Sequence, residues 1–393
     1  MKILYIVNAR IPTENAHGVQ LMHTCEALSR AGAMVELVVP RRWNPIRQDP
    51  YEYYSLEKVF KITRLPTLDL IRFGSVGYWI QEKTFCLSAI VYILLARRSW
   101  VLYIRGEKIL PMFSFLHRFG KLFVETHIKP ANFSKYLPLY RKVAGITVVT
   151  GHYAGELVAA GISATRVLVA PDGVDLRLFP MTIDRSTLRQ RLDLPKNKSI
   201  AAYIGKLTTM GNDKGVEALF EAFASVIRRA PASLLLIVGA QPEELALITT
   251  MATNKGLPAS SFKVVGHVHH AEAAAYMQAA NILVMNYPDA QHYRYYMSPL
   301  KLFEYMASGK VIVSSDLDSV RDIISDRNAV LITPDDTELL AKTLVDVIQN
   351  PSKYSARAVQ ARKDVEKYSW EERAKSILRF ITSLIHESNY NSN

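Results

Sequence analysis

Between Ser298 and Ser315 the chain passes from a small residue and a proline, through a short apolar helix bearing Glu304, to Gly309 and a β-branched strand. Each part suits a nucleoside diphosphate. Free backbone N–H groups at the helix start, around Ser298, Pro299, Leu300 and Lys301, can hold phosphate oxygens, helped by the helix dipole. A carboxylate one turn further in can accept two hydrogen bonds from a ribose diol. Gly309 can end the helix and turn the chain into the strand. Leu302, Phe303, Tyr305 and Met306 surround Glu304, so its carboxylate needs a partner, either Lys301 or a sugar hydroxyl.

A second constellation precedes it. Tyr203-Ile204-Gly205-Lys206-Leu207, then Asp213-Lys214-Gly215-Val216, reads as strand, glycine, lysine, loop, lysine, glycine, helix. Glycines let the backbone approach a ligand. Two ammonium groups can neutralise charge growing on a leaving diphosphate. Lysines after a strand are more often merely solvated, and the clamp gains its weight from the Glu304 helix about ninety residues on.

The first half offers less. Asn15-Ala16-His17-Gly18-Val19-Gln20 follows a first strand, and its N–H groups are expected to point above the sheet. It is not Gly-x-Gly-x-x-Gly, and no Walker-type loop is present. Glu125-Thr126-His127 closes another strand, where open parallel sheets bind ligands. Asp316-Leu317-Asp318 reads as a loop and helix cap. The ten histidines lack metal-ligand spacing, so no metal site is expected.

The elements around these residues alternate. Strands are expected at Lys2–Val7, Met34–Val39, Val101–Arg105, Leu122–Glu125, Gly145–Val149 and 166–170. A second series follows at Ser199–Ile204, Ser233–Val238, Phe262–Val265, Ile282–Met285, Val311–Ser314 and 329–332. Intervening helices include 19–30, Val216–Arg229, 271–280, 299–308, 319–324, 337–348 and 370–385. Continuous apolar strands separated by helices predict α/β architecture with parallel sheets covered on both faces. A chain of 393 residues exceeds one ordinary core, and a polar stretch near 178–198 divides it into domains 1–180 and 181–393, with the last helix free to pack back on the first.

Composition narrows the class. Cys25 and Cys86 have no paired spacing and fit a reducing compartment. Met1 to Val7 is short, lacks a cleavage site and reads as a strand, not an export signal. The net charge is +12, and residues 1–175 hold 22 Lys and Arg against 13 Asp and Glu. That basic half suits an anionic partner, such as an acidic membrane surface or a phosphorylated acceptor. No nucleic-acid motif accompanies the charge, so no specific nucleic acid is expected. Phe85 to Ala96, followed by Arg97-Arg98, is too short to span a bilayer and reads as a buried helix, with a membrane-surface helix as the alternative.

Taken in order, these motifs resemble the group 1, or family 4, retaining glycosyltransferases that use nucleotide sugars. The resemblance runs from Lys2 to about Ile385. It rests on the Gly18 loop, His127, Ala170-Pro171-Asp172-Gly173-Val174-Asp175 with Phe179, the Gly205–Gly215 clamp, Gly266-His267-Val268 and the Glu304 helix. It implies the GT-B fold, two Rossmann-like domains facing across a cleft. It implies a UDP-, GDP- or ADP-sugar as donor, with no cofactor or metal required, and a glycan, lipid-linked or small-molecule acceptor. Lys206 and Lys214 would neutralise the diphosphate. Glu304 would bind ribose, and Gly266 and Val268 would lie near the base. His127 would contact the donor sugar near the reacting carbon, and Gly18 and Gln20 would line the sugar or acceptor cleft. The expected location is cytoplasmic, peripheral at the inner face of a membrane.

The chain departs from the family at Tyr296, where the first glutamate of Glu-x7-Glu should stand and read the sugar. Lys206 replaces an arginine and loses its bidentate fork. A non-catalytic nucleotide-sugar binder or partner subunit is therefore the competing class. A sugar-nucleotide epimerase of the same fold lacks a convincing set of cleft carboxylates.

Overall fold

The computed structural model describes residues 1–96, 100–119, 121–209 and 212–390. The Arg97-Arg98 pair singled out from sequence lies outside them. The chain forms two compact units, Met1–Gly173 with Trp370–Asn393, and Val174–Ser369.

The first unit holds seven parallel strands: β1 (Lys2–Val7), β2 (Met34–Pro40), β3 (Lys61–Leu65), β4 (Val101–Arg105), β5 (Leu122–Thr126), β6 (Gly145–Val148) and β7 (Val167–Val169). Their order is β3-β2-β1-β4-β5-β6-β7. The order reverses beside β1, which pairs with both β2 and β4. β1 is buried from Ile3 to Val7, as a strand covered on both faces must be. β3 escapes sequence reading because its KITRL alternates weakly and sits at the sheet edge.

The second unit holds β8 (Ser199–Ile204), a small hairpin of β9 (Thr208–Thr209) and β10 (Asn212–Asp213), then β11 (Ser233–Ala240), β12 (Phe262–Gly266), β13 (Ile282–Met285), β14 (Val311–Ser315) and β15 (Val330–Ile332). Six of these form a parallel sheet in the order β12-β11-β8-β13-β14-β15. Ile200, Ala202 and Ile204 enter one core, while Ala201 and Tyr203 enter the other, so the sheet's period of two splits the apolar interior into two layers. The order reverses between β8 and β13, and open α/β sheets bind ligands outside the strands' carboxyl ends at such a point. Gly205 and Asn286 follow those two strand ends directly.

The helix Trp370–Tyr390 closes the first unit. Trp370, Arg373, Ala374, Ile377, Ile381 and Leu384 are buried at helical spacing. Trp370 stacks on His23 with ring centroids 5.7 Å apart.

One expectation is corrected. The apolar run at 85–96 belongs to a longer helix, Gly74–Ala96, that is only half buried. Phe85, Cys86, Ala89 and Ile93 face the core, whereas Val76, Trp79, Leu87, Val91 and Leu95 are exposed, Leu95 by 82%. No helix among the described residues is long and apolar enough to cross a membrane.

The closing helix sits so near β6 that a Cβ at Gly145 would lie 2.8 Å from both Leu384 and Phe380. Gly145→Ala is expected to cost about 1–3 kcal/mol through overpacking, read by urea denaturation.

Candidate functional site

The second unit's site begins where β8 ends. Tyr305, on the helix Leu300–Ala307, accepts the Ile204 N–H at 2.9 Å. The Tyr203 hydroxyl donates to the Lys206 carbonyl at 2.9 Å. Two buried tyrosines thus fix the turn at Gly205, whose φ of 132° favours glycine. Beyond the hairpin, the Asp213 carboxylate accepts the Gly215 N–H at 2.7 Å and the Val216 N–H at 3.3 Å, capping the helix Val216–Arg229. Gly215 has φ of 87°, and a Cβ there would fall 2.0 Å from the Asn286 carbonyl oxygen. Asn286 Nδ2 in turn donates to the Gly215 carbonyl at 2.6 Å. The two strand ends at the reversal point are therefore stitched together, and only glycine fits the seam.

Positive charge gathers at this seam. Burial, then Lys206, pushes the Lys214 ammonium down to about 8. Burial and Lys214 lower the His292 pKa. Lys301, in the first turn of the Leu300–Ala307 helix, reaches back over the Tyr203 ring, 3.6 Å from its centroid. A Cβ on Gly205 would sit 3.2 Å from the Lys301 Cε, so the glycine leaves the room that lysine fills. Lys301 Nζ is buried and has no hydrogen-bond partner among the described residues. Burial and Lys214 hold its pKa well below the ordinary lysine value, with Glu304 acting in the opposite direction. Cation–π contact offsets part of the cost of burying this ammonium.

Glu304 is buried and bonds to His270 Nε2, not to Lys301. Burial opposes charge on His270, but the Glu304 carboxylate and Asp175 overcome it and raise the His270 pKa. Ser298, Pro299 and Leu300 form the entry to the same helix, with Pro299 at its cap position. Gly266 ends β12 at the sheet edge, and a Cβ there would find only ordinary contacts. Val268 packs against the apolar core. Tyr296 is buried at the end of the wide turn His292–Tyr296. Tyr293 stacks on Tyr287 at 4.8 Å, and Arg294 grips Asp289 with two bonds of 2.6 Å.

Sequence reasoning missed His270, Asn286 and His292. Asn286 follows an apolar strand, and that polar residue at a strand's carboxyl end was the available signal. Asp316 is bound by Arg321 at 2.5 and 2.7 Å, and Asp318 lies 3.5 Å from Arg294. Among the described residues no group of His, Cys, Asp or Glu is placed to hold a metal ion.

The first unit has a different centre. Glu125, at the end of β5, is fully buried. It accepts from Tyr5 Oη at 3.0 Å, Gln20 Nε2 at 2.9 Å and Arg373 Nη2 at 2.8 Å, and bonds His127 Nε2 at 2.6 Å. Burial alone would raise its pKa. Arg373 first, then His127, hold it well below the usual carboxylate range. Arg373 spends its other N–H groups on the Thr24 hydroxyl at 3.1 Å and the Pro171 carbonyl at 2.9 Å. Gln20 and His127 are thus oriented by one carboxylate. Gly18 lies inside the helix Ala16–Arg30, its N–H already donated to the Asn15 carbonyl at 2.9 Å. The Tyr54 hydroxyl fills the space a Gly18 side chain would need.

Comparison with known proteins places these features. Sucrose-phosphate synthase from Thermosynechococcus elongatus superposes with a TM-score of 0.78 at 19% identity, covering 98% of this chain and 99% of that one. The Anabaena protein HepE, in complex with UDP and glucose, gives 0.70 at 17%, covering 98% and 100%. The fold is GT-B. Residues 198–350 match the family model "Glycosyl transferases group 1". The phosphatidyl-myo-inositol mannosyltransferase of Mycolicibacterium smegmatis is 25% identical over 244 residues, 62% of this chain and 58% of that protein. The D-inositol 3-phosphate glycosyltransferase of Corynebacterium urealyticum is 22% identical over 228 residues, 56% and 51%. The match spans less than two thirds of these relatives' own length.

The Glu125 pair gives a test. Arg373→Met would leave a buried charge unpaired and cost about 3–5 kcal/mol near neutral pH. A carboxylate depressed on folding stabilises above its unfolded pKa, about 4.3, and loses that stability as pH falls through the folded value. The gap between wild type and Arg373→Met should therefore narrow in acid. Urea denaturation at stepped pH measures it.

Proposed function

We propose that this chain transfers a sugar from a nucleoside-diphosphate sugar to an acceptor hydroxyl, with retention of anomeric configuration, in glycan, polysaccharide or glycolipid assembly. The observation that carries this reading is the gathering of Lys206, Lys214 and Lys301 at the reversal point of the second sheet, with Lys301 Nζ buried and without a hydrogen-bond acceptor among the described residues. In the reaction the bond from the anomeric carbon to the diphosphate oxygen breaks, and its electron pair stays on the phosphate. The acceptor oxygen bonds the anomeric carbon from the same face, and its proton passes to the leaving phosphate. Negative charge on the diphosphate rises in that step, and fixed ammonium groups lower its barrier.

Glu304 is assigned to the ribose diol, with His270 holding the carboxylate in place. Gly266 and Val268 are assigned to the base, and the amides at Leu300 and Lys301 to the distal phosphate. His127, oriented by Glu125, is the first unit's candidate for contact with substrate hydroxyls, with Gln20 as its neighbour on the same carboxylate. The names of the relatives support a sugar transfer to a phosphorylated or lipid-linked polyol. Tyr296, where the family has a sugar-reading glutamate, favours a second reading as a binder without turnover.

A thermal-shift panel of UDP, GDP and ADP sugars tests the donor. A ligand at 100-fold over its Kd adds about 2.7 kcal/mol of stability, so one base should stand out. Lys214→Ala should keep the fold and lose about 10²–10³ in transfer rate, the scale of one removed charge-stabilising donor. Unchanged turnover would sink the assignment. Donor stabilisation without turnover in the wild type would favour the second reading.

We further propose that the chain sits peripherally on the anionic, cytoplasmic face of a membrane. The exposed apolar side chains of the Gly74–Ala96 helix, on the more basic half of the chain, support this. Sedimentation with anionic vesicles should exceed that with neutral ones, and equal binding would count against it.

A further inference from the structure

The first unit holds a cavity that the preceding assignments leave unused. It has a volume of about 440 Å³, and four arginines line it: Arg10, Arg42, Arg47 and Arg64. Arg10 follows β1, Arg42 and Arg47 follow β2, and Arg64 is the penultimate residue of β3. The arginines thus converge from three neighbouring strands at their carboxyl ends, where a parallel sheet binds ligands.

The loop that carries two of them is built, not slack. Asn44 Nδ2 donates to the Pro12 carbonyl at 2.8 Å, and its Oδ1 accepts the Ile46 N–H at 3.0 Å. The Trp43 N–H donates to Asp69 at 2.9 Å. Asp49 caps the short helix that follows, accepting the Tyr51 N–H at 2.9 Å. These bonds hold the segment from Arg42 to Pro50 against the sheet.

The charges do not cancel. Arg10 meets Glu14 at 2.5 Å, and Arg42 Nε lies 3.4 Å from Asp69. Asp49 is committed to its cap and to Lys58 at 3.4 Å. Arg64 reaches only the Ile11 carbonyl, at 3.4 Å. Neither Arg47 nor Arg64 has a carboxylate within ion-pair distance among the described residues, and the buried Arg42 Nε has its 3.4 Å ion-pair contact with Asp69 but no hydrogen bond among the described residues. A guanidinium fork in that state suits a phosphate, which accepts two parallel N–H bonds. Beside the arginines, Trp43 is 69% exposed. A large indole left in water at the rim of a cationic cavity is a platform for the apolar face of a ring.

We propose that this cavity binds the phosphate of a phosphorylated sugar or polyol, with Trp43 covering the ring. Calling that ligand the acceptor rests on the transferase reading; the anion site itself does not. The phosphate can come from a soluble ester or from a lipid headgroup, and the test separates them.

Full-length wild type and Arg42→Gln/Arg47→Gln are titrated calorimetrically with glucose 6-phosphate, inorganic phosphate and glucose. They are also sedimented with phosphatidylglycerol vesicles. Wild type should bind glucose 6-phosphate more tightly than phosphate or glucose, and the double variant should lose at least about ten-fold, the effect of one charge-assisted contact. Trp43→Ala should weaken glucose 6-phosphate but not inorganic phosphate. An arginine-dependent loss seen only with vesicles would assign the site to a lipid headgroup. Equal binding by wild type and double variant in every arm would overturn the proposal. Stabilisation by UDP, GDP or ADP is followed in parallel. If it persists in the double variant, the variant is folded and its defect is local. If no nucleotide stabilises even wild type while the arginine-dependent binding remains, the transferase reading fails and the anion site stands.

Discussion

A charge removed from water must find a partner, and the two units meet that constraint in opposite ways. In the first, Glu125 is fully buried and answered by Arg373, Gln20, Tyr5 and His127. The result is a closed polar node that joins β1, the Ala16–Arg30 helix, β5 and the C-terminal helix. In the second, Lys301 is buried and left without a hydrogen-bond acceptor among the described residues. Burying an unpaired ammonium costs stability, a cost that an anionic ligand would relieve.

The open node depends on backbone made unusually close. Gly205 leaves space for the Lys301 side chain, and Gly215 lets the Asn286 carbonyl approach where any Cβ would collide. Tyr203 and Tyr305 tie down the turn between them. The lysines are held by a rigid scaffold at the sheet's reversal point. Burial, and after it the charge of Lys206, depress the Lys214 pKa. Electrostatic preorganisation of this kind is what charge stabilisation in a leaving diphosphate requires.

Glu304 shows how a motif and its partner separate. A carboxylate inside an apolar helix demands a partner on physical grounds alone, and the sequence placed Lys301 next to it as the ready choice. The fold instead turns Lys301 toward Tyr203 and brings His270 from another helix to Glu304. Residues three apart share a helix face, but a side chain as long as lysine can still leave it when a glycine opens room elsewhere.

By itself, the sequence determined the strand and helix alternation, most element positions, and the placing of Gly205 and Lys206 just after a strand, of Gly215 just before a helix, and of Glu304 within a helix. These signals are local: apolar runs, glycines at strand ends and charged residues beside them act over a few residues. The weakly alternating edge strand β3 and the half-exposed face of the Gly74–Ala96 helix were not legible, because burial on one face depends on what packs there. Only the tertiary structure decided that Arg373 neutralises Glu125, that His270 holds Glu304, that Asn286 locks Gly215 and that four arginines share one cavity. Each of those pairings joins residues far apart in the chain, and the strand order that brings them together is set by packing, which no local pattern encodes.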